Sequence, residues 1–238
     1  MKKTGLPDIF MYASNVVSIQ SHHDDTDIAA GGTVAKLVNE GKKVFYATVT
    51  DGRFGTLDSN IPAWKFIKIR KEEQNKAAKI LGVEKVIYLD YLDQGLESTL
   101  ELRNKLVNVI RETKADIVMT HDPWRLYEGN RDHRHTGMMS VEAAGIAHHP
   151  LLNTELNAEP YLVQGMFLFR PFTADTWVDI TDTIDLKLKA ICQHQSQFGE
   201  SIAELTKQQN AEDGKIIKRP YAEVFKILTP AAPYIWKG

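Results

Sequence analysis

This chain of 238 residues has a single cysteine, Cys192. One thiol excludes an intramolecular disulfide and a zinc site built from cysteines, and it fits a reducing compartment. No apolar run is long enough to cross a membrane. The opening Met1-Lys2-Lys3-Thr4-Gly5 has the charge of a leader's first region, but Pro7 and Asp8 interrupt the stretch where its apolar region would lie. A formal charge of -2, with no basic patch interleaved with aromatics, removes nucleic acid and anionic lipid as expected partners. Gly31 and Gly32 stand together without the spaced glycines of a dinucleotide fingerprint, so a nicotinamide cofactor is not expected. These absences leave a soluble, cytoplasmic protein with a small-molecule partner. A hydrophobic content of 43% is enough for one large α/β domain over residues 1–238, with a core at about 16–200 and a C-terminal helix or loop extension.

What is present is most concentrated in Ser21-His22-His23-Asp24-Asp25-Thr26-Asp27, with Gly31-Gly32-Thr33 shortly after. The β-branched run Val16 to Gln20 before it predicts a strand, and Thr33 to Glu40, closed by Gly41, predicts a helix. Strands are also predicted at 44–50, 85–89 and 116–120, with helices at 61–81 and about 96–114 between them. This alternation predicts a doubly wound, mostly parallel sheet of Rossmann-like form with helices on both faces. Beyond His133 the pattern predicts a helix to about Ala147, strands at 163–169 and near 177–180, and a helix from 182 to about 198. The polar stretch Lys207 to Pro220 reads as a loop, mobile or facing another subunit.

In such a sheet, ligands collect at the carboxyl ends of the strands, where the His-Asp cluster falls. His22 and Asp25 are three residues apart, so on a helical turn they project to one side and can share an ion. A third ligand must come from elsewhere, and the loop from His121 to His135 opens on the same sheet edge. Five of the eight histidines lie in these two loops. Imidazole nitrogen with carboxylate oxygen suits zinc better than magnesium, and Asp24 is the natural base for a metal-activated water.

These residues carry a resemblance. The stretch 21–25 with Gly31-Gly32-Thr33 resembles the A-H-P-D-D and G-G-T motif of LmbE-like deacetylases of the PIG-L superfamily. A second motif of that family, D-P-W-x-x-Y-x-x-H-P-D-H-R, resembles Asp122-Pro123-Trp124, Tyr127 and Asn130 to Arg134. Further matches run through Thr50-Asp51-Gly52, Arg70 with Glu73, Asp93 and His194 with Ser196-Gln197; the later segments are most similar to diacetylchitobiose deacetylases. The resemblance implies an LmbE-like fold and a hydrolase that removes the N-acetyl group from an N-acetylglucosamine-type sugar. It implies one zinc ion on His22, Asp25 and His133, Asp24 as catalytic base, substrate contacts at Arg70, Asp93 and Trp124, and a homo-oligomer.

Two positions depart from the family pattern. Asn130 replaces a histidine credited with stabilising the oxyanion or protonating the leaving amine, and His23 occupies a proline position. An amide donates a hydrogen bond but shuttles no proton, so Asn130 is expected to act as a catalytic donor only. Two other readings compete. Asp25-Thr26-Asp27 after a strand resembles the D-x-D nucleophile motif of magnesium-dependent phosphatases of haloacid-dehalogenase type, and Asn130 could mark a sugar-binding relative with impaired catalysis. His121 and His135 read as ordinary loop histidines, and the helix stripe Phe66, Arg70, Glu73, Ala77, Leu81 predicts an ion pair or a sugar contact at its two charges.

Overall fold

The computed structural model describes residues 8–152, 158–198 and 200–230. The basic segment with the charge of a leader lies outside them. Seven strands form one sheet in the order β3-β2-β1-β4-β5-β7-β6. They are β1 (Asn15–Gln20), β2 (Lys43–Thr50), β3 (Lys85–Tyr91), β4 (Ile117–His121), β5 (Gly165–Phe169), β6 (Thr176–Asp179) and β7 (Ala222–Leu228). Strands β1 to β5 pair in parallel, and β7 runs antiparallel between β5 and β6. The helices are α1 (Ile9–Tyr12), α2 (Asp25–Asn39), α3 (Ala63–Leu81), α4 (Leu100–Thr113), α5 (Arg131–Ile146), α6 (Ile184–Ile191) and α7 (Glu200–Ile216).

Strand alternation divides the core. In β4, Ile117 and Met119 face α2, α3 and α6, whereas Val118 faces α4 and α5. The same period separates Val16 from Val17 in β1 and Met166 from Phe167 in β5. On α3 the stripe Phe66, Arg70, Glu73, Ala77 and Leu81 is buried as its spacing predicts, and Gly82 ends the helix at φ +77. Thr99 starts α4 by accepting the Leu102 amide at 3.1 Å.

Three expectations are corrected here. First, α2 begins at Asp25 rather than Thr33. The glycine pair marks a close approach: a Cβ on Gly32 would stand 2.8 Å from Ile180, and the Gly32 and Thr33 amides donate to the Glu223 carboxylate at 2.9 and 2.7 Å. Glu223 in turn holds Lys187 at 2.6 Å, and both side chains are fully buried. Second, the stretch Lys207 to Pro220 is not a loop, because α7 runs to Ile216 and packs on β7 and α6. Strand β7 comes next, so the sheet draws on residues beyond 200. Third, the helix expected over 182 to 198 ends at Ile191.

The strand order reverses between β1 and β4, which are direct neighbours. A crevice opens at such a point, beyond the carboxyl ends of the strands. The loops after β1, β2, β4 and β5 all leave from this edge.

Candidate metal centre

Residue 22 follows β1 and residue 25 opens α2, so the pair is brought together by the non-helical turn that joins strand to helix rather than by a turn of the helix itself. His133 arrives from the first turn of α5. The Nδ1 of His22 lies 3.4 Å from Asp25 Oδ2 and 3.2 Å from His133 Nε2, and His133 Nε2 lies 3.2 Å from Asp25 Oδ1. Ligand atoms held about 2.0–2.2 Å from a four-coordinate ion are separated by about 3.3–3.6 Å, the edge of the tetrahedron. The three side chains therefore fit a single zinc-sized ion. About 12% of the His22 and His133 side-chain surface stays open, toward a cleft of about 370 Å³.

Carboxylates back the imidazoles. The Nε2 of His22 faces Asp93 Oδ1 at 3.3 Å and Asp132 Oδ2 at 3.4 Å, while His133 Nδ1 lies 3.6 Å from Glu128. A proton on His22 Nε2 is favoured by those oxygens, which leaves Nδ1 as the lone-pair atom on the ion side. Asp132 is itself fixed by the amides of Gln94 at 2.7 Å and Leu96 at 3.2 Å. Burial works against charge on His22, but Asp25, Asp132 and Asp93 hold its imidazole well above the ordinary histidine range. For Asp25, burial favours the neutral acid, yet His133, His121 and His22 hold it well below the carboxylate range. Burial also opposes charge on His133, and Asp25 above all raises it. A cluster that draws protons onto its nitrogens around a buried carboxylate is one where a divalent cation displaces those protons.

His121 is not the ordinary loop histidine its sequence context suggests, because it is the last residue of β4 and is buried here. Its Nε2 lies 3.1 Å from Asp25 Oδ2 and its ring stacks on His133 with centroids 4.2 Å apart. Burial, only partly offset by Asp25, brings its pKa down to about 4, so it is a neutral imidazole. Its place directly after the strand predicted at 116–120 is the signal that could have found it. His135 bonds Ser98 at 2.6 Å, away from the cluster.

Asp24 lies beside the triad and lines the cleft. It occupies the N-cap position of α2 without a side-chain capping bond, so ordinary capping does not explain it. Arg70 Nη2 approaches its Oδ1 at 3.5 Å, and the Arg70 side chain is only 2% exposed. The ion pair expected on the α3 stripe thus joins Arg70 to Asp24, whereas Glu73 accepts from the Ser196 amide at 2.8 Å and its hydroxyl at 2.6 Å. A Cβ on Gly55 would press on the ends of the Arg70 and Gln197 side chains and displace them. Arg70, Asp93 and Asn130 all line the cleft; Trp124 does not, and stands 53% exposed on the loop after β4. Asn130 caps α5, its Oδ1 accepting the Asp132 amide at 2.9 Å, which leaves its NH2 group for the cleft. Gln197, from the matched Ser196-Gln197 element, also lines it, as do Phe54, Arg170 and Phe198, which do not stand out from the sequence as site residues.

Asp27 points elsewhere. It accepts from Tyr46 at 3.0 Å and Gln74 at 3.2 Å and pairs with His194 at 2.8 Å, wholly buried. Asp25 and Asp27 therefore do not face one reaction space, as a D-x-D phosphatase requires.

A parallel sheet with this imidazole and carboxylate cluster at its switch point defines an α/β enzyme of the hydrolase class with a candidate metal site. The chain belongs to the PIG-L family, described as GlcNAc-PI de-N-acetylase, whose model matches residues 17–144. It is 39% identical to a diacetylchitobiose deacetylase of Thermococcus kodakarensis over 82% of this chain and 74% of that protein. A probable N-acetyl-α-D-glucosaminyl L-malate deacetylase of Bacillus anthracis is 25% identical over 84% of this chain and 88% of its own. Among solved structures, the N,N'-diacetylchitobiose deacetylase of Pyrococcus horikoshii superposes with a TM-score of 0.89 at 34% identity, covering 94% of this chain and 87% of that one. No helix among the described residues is long and apolar enough to cross a membrane.

Proposed function

We propose that this protein is a zinc-dependent N-deacetylase of N-acetylglucosamine-type sugars, chitin-derived mono- or disaccharides, releasing acetate and a free amino sugar. The observation that carries the reading is the near-tetrahedral spacing of His22, Asp25 and His133 with the Asp24 carboxylate beside them in one cleft. Those three side chains would hold the ion, which when bound supplies the positive charge that acidifies water and polarises the acetyl carbonyl.

Asp24 takes a proton from the water that attacks the acetyl carbon. Its carboxyl then returns that proton to the amide nitrogen as the C–N bond breaks, so water and amide become acetate and amine. Arg70 aims Asp24 through the 3.5 Å contact. Asn130 donates its amide N–H to the developing oxyanion and leaves proton transfer to Asp24. Asp93 and Arg70 meet sugar hydroxyls within the cleft, and Trp124 touches only what extends beyond its lining. His121 orients Asp25 from behind. A homo-oligomer belongs to this reading through the resemblance, and a cytoplasmic location through the single cysteine; sedimentation equilibrium checks the first.

The direct test is acetate release from N-acetylglucosamine and N,N'-diacetylchitobiose, with and without added zinc. Zinc-dependent release supports the reading; zinc binding with no release from any amino sugar would leave a sugar-binding relative instead.

A further inference from the structure

The cleft is rich in groups that donate a fixed hydrogen bond and poor in groups that carry a proton. Asn130 and Gln197 offer amides and Arg70 a guanidinium, none of which gives its proton up. His22, Asp25 and His133 are the candidate ligands, and an ion held there takes the lone pairs that converge on it. Asp93 is an acceptor on both oxygens: Oδ1 faces His22 Nε2 at 3.3 Å, and Oδ2 accepts the Phe54 amide at 2.9 Å. His23 and His121 are buried off the lining, and His135 bonds Ser98. Among the described residues that line the cleft, Asp24 is therefore the one side chain free to take up a proton and hand it on.

A single proton carrier serves amides and esters unequally. In both reactions Asp24 takes a proton from water as oxygen adds to the acetyl carbon. An amide then needs that proton on its nitrogen before the C–N bond breaks, because an amine expelled as its anion is a far poorer leaving group than the oxygen just added. Asp24 must collect the proton at one side of the carbonyl and deliver it at another, while Arg70 stands 3.5 Å from its Oδ1. An ester makes no such demand. Its C–O bond breaks with the electron pair passing to the alcohol oxygen, which collects a proton afterwards from Asp24 or solvent; water and ester give acetate, the alcohol and one proton. The NH2 group of Asn130, whose Oδ1 is committed to the Asp132 amide at 2.9 Å, serves the oxyanion in either case.

We infer that this site is also an esterase that removes O-acetyl groups from sugar hydroxyls, and that it cleaves an O-acetyl ester faster than the N-acetyl amide at the same ring position. The inference rests on the deacetylase reading for the placement of the acetyl group and adds a second class of bond to it.

A matched pair of substrates tests this: methyl 2-O-acetyl-β-glucoside and methyl 2-acetamido-2-deoxy-β-glucoside, which differ only in the atom that leaves the acetyl carbon. Acetate release from each is measured with the zinc-supplemented wild type, Asp24→Asn and Asn130→His. In the wild type, kcat/KM for the ester should exceed that for the amide by more than about 10²-fold, the low end of what a dedicated proton donor contributes. Asn130→His, shown by melting and zinc content to be folded and loaded, should narrow that gap about tenfold by placing an imidazole beside the leaving atom. In wild type alone, the solvent deuterium isotope effect should be larger for the amide than for the ester. An amide cleaved as fast as the ester, equal isotope effects, a gap unchanged in the loaded Asn130→His, or ester release that survives Asp24→Asn would overturn the inference and leave the deacetylase reading standing. Ester release without amide release would keep the inference and end that reading, and release from neither substrate would end both.

Discussion

Two histidine–aspartate clusters grow from the first turn of α2, and they have opposite fates. Asp27 is enclosed: His194, Tyr46 and Gln74 occupy its oxygens, and no part of the Asp27–His194 pair reaches solvent. Asp25 is surrounded by three imidazoles, two of which keep part of their surface in the cleft. The residue types are the same, and closure separates them. A sealed pair whose carboxylate oxygens are both occupied ties α2 to β2, α3 and the segment after α6. An open cluster with nitrogens converging on one point is left for an ion.

Variants of the residues in and beside each cluster separate the two most directly. Asp24→Asn should lower kcat about 10³-fold while zinc content stays at the wild-type level, since a general base contributes about 10²–10⁴. Wild-type turnover in that variant, measured as acetate release, would remove Asp24 from the chemistry. Asp25→Asn should abolish tight zinc binding in a chain that still folds, read as metal content of the purified protein. His194→Ala should do the reverse. It strands a buried carboxylate, costs about 3 kcal/mol in urea unfolding, and leaves one zinc per folded chain. If both variants lost metal alike, the clusters would be one unit.

A pH experiment sharpens the contrast further. His23 is wholly buried with no hydrogen-bond partner on either ring nitrogen among the described residues, and burial, reinforced by Arg70 and His194, lowers its pKa to about 2. The unfolded chain takes up a proton there near pH 6.5, and the folded chain refuses it until about pH 2. Its neutral form thus contributes stability above pH 6.5 that falls by about 1.4 kcal/mol per pH unit below it. His23→Leu should flatten unfolding free energy between pH 6 and pH 4 relative to wild type; an unchanged slope would show that His23 is not held neutral. The smallest effect is expected at Trp124→Ala, which lies off the cleft lining and should change kcat/KM for N-acetylglucosamine less than about twofold.

The site was more legible in the sequence than the C-terminal third of the fold. His22, Asp24 and Asp25 stand together after a clear β-branched strand, so local spacing alone brought them to one sheet edge. The contribution of His121 was hidden because it depends on β4 lying next to β1, a fact of strand order rather than of pattern. Helix α7 was missed because its inward stripe is Ala203, Thr206, Asn210 and Gly214. That stripe has helical spacing but small and polar members, so hydrophobic periodicity had nothing to register. The start of α2 was misplaced for a related reason: Gly31-Gly32-Thr33 looks like a helix entrance, while the glycine exists to admit Ile180 and Glu223. Arg170 left no sequence signal at all, since its place on the cleft is set by a left-handed turn after β5.

The central claim is that His22, Asp25 and His133 converge on one divalent ion. Elemental analysis of zinc in the purified wild type and in His133→Ala, after dialysis against a weak chelator, measures it directly. One zinc per wild-type chain and none on the folded variant is the expected result; equal zinc in both proteins would contradict a shared ion at these residues.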